Sequence, residues 1–229
     1  MEHEFLSLSR KEAALSLFYL AAEFLVLPGA LLAAAEAAGL APSPVLLNVV
    51  FYFLNALFLC LICRNFLGAC IRQLLKNPKP VFLTAGAGLM LYFLFSRGLE
   101  VLIALVFPDF QNLNNAYLAD MARSQWLLLA VGVVLLVPPA EELLFRGAVF
   151  GPLFRRRPWA GYLVSMLAFS AVHVMGYLGQ LSPLAVLLSL IQYLPAGFFL
   201  AWAYRRTGNL FTSILMHSFI NIIGVFTMR

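Results

Sequence analysis

Residues 126–154 read WLLLAVGVVLLVPPAEELLFRGAVFGPLF. The run is long enough to cross a bilayer as a helix, which takes about 20 apolar residues. It nevertheless carries Glu141, Glu142 and Arg146, and two consecutive prolines, Pro138 and Pro139. Glu142 and Arg146 are four apart and share a helix face, so they can pair. Glu141 points about 100° away and has no partner on its own helix. The prolines lack N–H groups and loosen the helix, which frees backbone carbonyls for other partners. Two adjacent carboxylates in hydrocarbon are too costly to serve as packing alone, so the run reads as a functional transmembrane segment.

The rest of the chain fits that reading. Of 229 residues, 63% are hydrophobic and 11% charged, and the mean hydropathy is +0.92. A soluble domain has about 45–50% and about 25% respectively, so neither a soluble nor a disordered chain is tenable. Six more apolar runs lie at roughly 13–35, 44–63, 81–107, 159–178, 183–204 and 210–228. None alternates as a barrel strand would, and no internal repeat is present. The expected fold is all-α: a polytopic membrane protein of about seven transmembrane helices, forming a single integral membrane domain over residues 1–229. The first run is taken as a retained span and not as a cleaved signal peptide.

Charge gives the orientation. With seven spans, Arg10, Lys11, Arg64, Arg72, Lys76, Lys79, Arg155, Arg156, Arg157, Arg205 and Arg206 share one side, eleven of the fifteen Lys and Arg. Arg123 and Arg229 lie on the other, and Arg97 and Arg146 lie inside runs. The positive-inside rule then puts the N-terminus in the cytoplasm and the C-terminus outside the cell membrane. The net charge of +5 comes from these short loops and is no sign of nucleic-acid binding. Residues 64–80 look amphipathic and suit the inner membrane surface. Residues 108–125 read as the longest external loop. Cys60, Cys63 and Cys70 are too few for a disulfide framework and read as small buried apolar residues.

Each ionisable residue inside a span is a candidate for function. Arg97 and Glu100 are three apart and read as a structural ion pair. Glu23 has no local partner; a protonated carboxyl in a helix interface is the plainer reading, and a cavity-lining role the alternative. Two further clusters stand beside Glu141, Glu142 and Arg146. In one, Phe169 and His173 share a face. In the other, His217 and Asn221 are four apart, and both can donate hydrogen bonds. All lie well inside their runs, so a carboxylate, two imidazoles and an amide can converge on one polar cavity. A carboxylate beside a histidine is general acid/base equipment, and a His–Asn pair can form an oxyanion hole. No Ser or Cys is paired with a base as a nucleophile, which points to an activated water and hydrolysis.

Glu-Glu-x-x-x-Arg at Glu141–Arg146, Phe-x-x-x-His at Phe169–His173 and His-x-x-x-Asn at His217–Asn221 resemble, in order, spacing and helical context, the three motifs of the CAAX protease and bacteriocin-processing family. This family is also called Abi and includes the type II CAAX prenyl proteases. The stretch Arg206-Thr207-Gly208-Asn209-Leu210 is similar to the family too. The likeness covers about 138–221, within a catalytic core over 126–228 on the last four spans. It implies an intramembrane endopeptidase in which Glu141 activates water with His173, His217 and Asn221 stabilise the oxyanion, and Glu142, Arg146 and Phe169 support them. It implies a membrane-associated protein or peptide as substrate; the motifs do not say whether that substrate is prenylated.

Two other classes compete: a non-catalytic bacteriocin-immunity or interaction protein, and a proton-coupled transporter, which would more often show repeats in matched halves. A zinc site could draw on Glu141, His173 and His217, since catalytic zinc takes about three protein ligands. The His-Glu-x-x-His zinc pattern is absent, and Asn221 suits an oxyanion better than zinc. The expectation is therefore a site without a metal cofactor, with a divalent ion such as zinc as the alternative.

Overall fold

A computed structural model describes residues 5–228, so Arg229 lies outside the described residues. Those residues form helices and no strands. In chain order they are α1 (Arg10–Leu25), α2 (Leu27–Ala37), α3 (Pro44–Ile62), α4 (Arg64–Lys76), α5 (Lys79–Val106) and α6 (Leu113–Val131). After two π-helical stretches and the short helices between and beyond them come α9 (Pro158–Met175), α10 (Pro183–Thr207) and α11 (Leu210–Thr227). The intervening part runs as π-helix Gly132–Leu136, α7 (Val137–Glu142), π-helix Leu143–Phe150 and α8 (Gly151–Arg156). Among the described residues, six helical stretches are long and apolar enough to cross a membrane, and α1 with α2 makes a seventh if counted as one broken span. This is an all-α, multi-pass membrane protein.

Three expectations need correction. The first apolar run is bent by 52° between α1 and α2. Pro28 follows the break, and its missing N–H and ring clash explain it. Residues 108–125 are not a loop throughout. Asn112 accepts from the Asn115 N–H and caps α6, so the polar stretch is helical up to a kink at Gln125, where φ is −146° and ψ 63°. His173 is not deep in its run but near the C-terminal end of α9. The amphipathic reading of 64–80 corresponds to α4, with Phe66 and Cys70 buried.

The lipid-facing surface is apolar, as bilayer contact requires: Phe18 is 77% exposed and Met90 76%. Inside, small residues let helices approach. A Cβ at Gly197 on α10 would lie 2.9 Å from the Met166 backbone on α9, so only glycine fits that crossing. The turn that launches α11 is equally determined. Gly208 ends α10 at φ 67°, a left-handed value that favours glycine. Asn209 then caps α11 while its Nδ2 donates to Cys70 O and Gln73 Oε1, both at 2.8 Å. The register of α11, and so the position of His217, is thereby tied to α4.

Candidate active site

The site begins with a helix that cannot complete its own backbone bonding. Helical structure runs for 44 residues from Leu113 to Arg156, but it widens to π geometry on both sides of α7. In the first π stretch the Val137 N–H bonds to Gly132 O, five residues back. The next two donors in that register would belong to Pro138 and Pro139, which have none. Their natural acceptors, Val133 O and Val134 O, are taken by α11 instead. Asn221 Nδ2 donates to Val133 O at 2.7 Å and Ser218 Oγ to Val134 O at 3.0 Å. The freed carbonyls expected from Pro138-Pro139 are these two, and they clamp α11 against the helix that carries both glutamates.

Glu142 and Arg146 are wholly buried, with Arg146 Nη1 3.2 Å from Glu142 Oε1. Arg146 Nη2 also donates to Gly197 O at 3.2 Å, and its guanidinium sits 4.4 Å from the centre of the Phe169 ring. His217 Nδ1 lies 2.9 Å from the same Glu142 oxygen. A carboxylate paired with arginine must accept there, so Nδ1–H donates and the ring is held in place. Phe169 stands edge-on to Phe145 at 5.6 Å and to His217 at 5.7 Å. The supporting residues thus form one buried cluster around the base of His217.

Glu141 faces the other way, as its helical angle requires. Its Oε2 lies 3.9 Å from His217 Nε2, too far for a hydrogen bond, and is otherwise unpartnered. Its side chain is 22% exposed, and that exposure is to a cavity of about 580 Å³ which His173, His217 and Asn221 also line. His173 Nδ1 is 2.8 Å from Phe169 O, so that nitrogen donates and Nε2 is left with a lone pair. The His173 ring stacks on Tyr193, with centroids 4.3 Å apart. The second N–H of the Asn221 amide has no partner among the hydrogen bonds of the described residues.

Several cavity residues carried little or no signal in the sequence. Glu23 lines the cavity, and its Oε2 is buried without a partner, so the cavity-lining alternative describes it. Tyr193 and Gln192 stand in an apolar run, and Asn112 and Asn114 in what read as a loop. Asn112 Nδ2 donates to Gln192 Oε1 at 2.8 Å and Asn114 Nδ2 to the Tyr193 hydroxyl at 2.9 Å. Together they form a neutral polar rim. Arg97 and Glu100 also line the cavity and pair at 2.7 Å, as their spacing predicts.

For a metal, the donors and their arrangement disagree. Both imidazoles are held through Nδ1 with Nε2 turned away from that bond, as ligating histidines are. Yet among the described residues no three His, Cys, Asp or Glu side chains are gathered closely enough to hold one ion. The residues as they stand do not fit a three-ligand zinc centre.

A broken transmembrane helix presenting one free and one buried glutamate, with two histidines opposite, defines the class as a polytopic membrane protein with a polar cavity among its helices. Residues 123–223, under half of the chain, match a family model described as type II CAAX prenyl endopeptidase Rce1-like, and this part of the chain is similar to that family. A 90-residue stretch is 32% identical to UPF0177 protein YxdF of Lactococcus lactis subsp. lactis (strain IL1403). It covers 39% of this chain and 44% of that protein, so the chain matches less than half the length of this relative. No solved structure matches.

Proposed function

We propose that the protein is an intramembrane endopeptidase that hydrolyses a peptide bond of a membrane-associated protein or peptide with a water activated by Glu141. The observation that carries this reading is an unpartnered carboxylate facing a cavity of about 580 Å³ shared with His173, His217 and Asn221. Glu141 takes a proton from water held against the Nε2 lone pair of His173. The water oxygen bonds to the substrate carbonyl carbon, and the free Asn221 N–H donates to the resulting oxyanion. His217 can join it only when Nε2 carries a proton as well as Nδ1. Collapse breaks the C–N bond, and Glu141 returns its proton to the leaving amine. Glu142, Arg146 and Phe169 do not touch substrate; they hold His217. The mechanism uses no metal.

The charge bias supports a cytoplasmic N-terminus and basic loops, with α1 and α2 taken as one span and the C-terminus outside. The test of function is cleavage of co-expressed candidate membrane peptides by wild type and by Glu141→Gln, followed by assay of purified protein after exhaustive chelation with elemental analysis. Cleavage that needs Glu141 and survives chelation is expected. Stoichiometric zinc, with activity lost on chelation and restored by zinc, would replace the metal-free site with a metalloprotease.

A further inference from the structure

The cavity and the basic loops occupy opposite poles of the molecule. α5 starts at Lys79, yet its cavity residues, Tyr92 to Glu100, are in its second half. α10 carries Arg205 and Arg206 in its last turn, and of its cavity residues Gln192 and Tyr193 are in its first half and Ala196 just past its midpoint. α9 follows Arg157 and contributes Val172 and His173 at its far end. α11 leaves the basic pole at Leu210 and lines the cavity only from His217 onward. Asn112, Asn114 and Asn115 reach the cavity from the far connection between α5 and α6. Five elements entering from alternate directions agree, so the result does not depend on where any one helix ends.

The mouth at that pole is built for an uncharged chain. Its rim is amides and a phenol, and its one ion pair, Arg97 with Glu100, is internally neutralised. Its walls include the apolar Leu20, Phe24 and Phe51 and the carboxylates Glu23 and Glu141, which disfavour an acidic segment. Asn and Gln side chains can donate to and accept from an extended backbone. A polypeptide held at the basic pole would meet Arg155, Arg156, Arg205 and Arg206 instead, all exposed.

We infer that the cavity takes its substrate from the extracytoplasmic side, as an uncharged, extended segment of an exported or membrane-anchored polypeptide lying at the outer leaflet. The sidedness rests on the positive-inside orientation and the position of the cavity; the word substrate rests on the proteolytic reading above. A protein tail lipidated in the cytoplasm and held at the inner leaflet does not reach this mouth.

The test has two arms. Single reporters, Asn115→Cys at the rim and Arg156→Cys at the basic pole, are placed in a Cys60→Ala background and treated with a membrane-impermeant maleimide. Native Cys63 and Cys70 are buried, and burial pushes the Cys70 thiol up to about 11, so it contributes little thiolate to the labelling. Asn115→Cys is expected to label in sealed right-side-out vesicles and to be protected in inverted ones, with Arg156→Cys the reverse. The opposite pattern overturns the inference. In the second arm, a quenched fluorescent peptide of uncharged residues is added to both preparations of wild-type vesicles. Cleavage confined to right-side-out vesicles supports the inference, and cleavage confined to inverted vesicles overturns it. Absence of cleavage even after detergent opens the vesicles sinks the proteolytic reading instead, while the labelling still decides the sidedness.

Discussion

Glu141 and Glu142 are neighbours in sequence and stand in opposite surroundings. Around Glu142 everything is closed: an arginine, an imidazole and two aromatic rings fill its environment, and none of the ion pair is exposed. Around Glu141 the wall opens onto a cavity that Glu23 also lines. Glu142 Oε1 is held by Arg146 and His217, with only its Oε2 unpartnered, whereas among the described residues no hydrogen bond holds Glu141. One helical step of about 100° separates the two. The contrast teaches that charge in this membrane is tolerated for two different reasons. A charge held by an arginine and an imidazole supports the structure, and a charge without a hydrogen bond beside a cavity is available for chemistry.

The sharpest way to break this comparison is Glu141→Gln. Turnover should fall by about 10²–10⁴-fold, the range for loss of a general base, while thermal unfolding of the purified protein in detergent stays near wild type. Normal turnover in this variant would end the mechanism proposed here. Glu142→Gln should behave differently, because it strands Arg146 in the interior. Removing one partner of a buried pair costs about 3–5 kcal/mol, so expression and melting temperature should drop along with activity. Glu142→Leu with Arg146→Met should recover much of the stability and none of the activity, since His217 loses its anchor.

A smaller effect probes the clamp between α11 and the prolines. Asn221→Leu leaves Val133 O without its donor, a loss of about 1–3 kcal/mol for a buried group, in addition to loss of the oxyanion donor. Adding Pro138→Ala restores an N–H in the π register. The double variant should regain stability over Asn221→Leu alone without regaining turnover. If melting temperatures show no recovery, the register argument is wrong. The smallest expected change is at the rim. Tyr193→Phe keeps the stack on His173 and removes the hydrogen bond from Asn114 and those the hydroxyl donates to Asn112 and Asn115, a typical hydrogen bond being worth about 0.5–1.5 kcal/mol. It should alter the substrate concentration needed for half-maximal rate more than the maximal rate.

Much of the candidate site was legible before any fold was known, because the helix is a strict ruler. Residues three or four apart share a face, so the Glu142–Arg146 and Arg97–Glu100 pairs and the divergence of Glu141 followed from spacing. The expense of charge in hydrocarbon singled out the rest. The rim was illegible for the converse reason: Asn, Gln and Tyr near a membrane boundary are cheap and carry no signal. The reading of residues 108–125 as a loop failed because polarity was taken for irregularity, whereas a cap at Asn112 lets a polar segment be helical.

By itself, then, the sequence determined a helical multi-pass membrane protein, the family that its C-terminal part resembles and the polar side chains inside its spans, since hydropathy, helical period and motif spacing are local quantities. The tertiary structure alone decided that Val133 and Val134 carbonyls receive Asn221 and Ser218, that His217 is anchored on Glu142 and not on Glu141, and that Glu23 joins the cavity. Those facts depend on hydrogen bonds between residues 75 to 88 apart in the chain and on a cavity that joins Glu23 with His217. No spacing within one helix can encode them, because the relative rotation and depth of packed helices are settled only when their side chains meet.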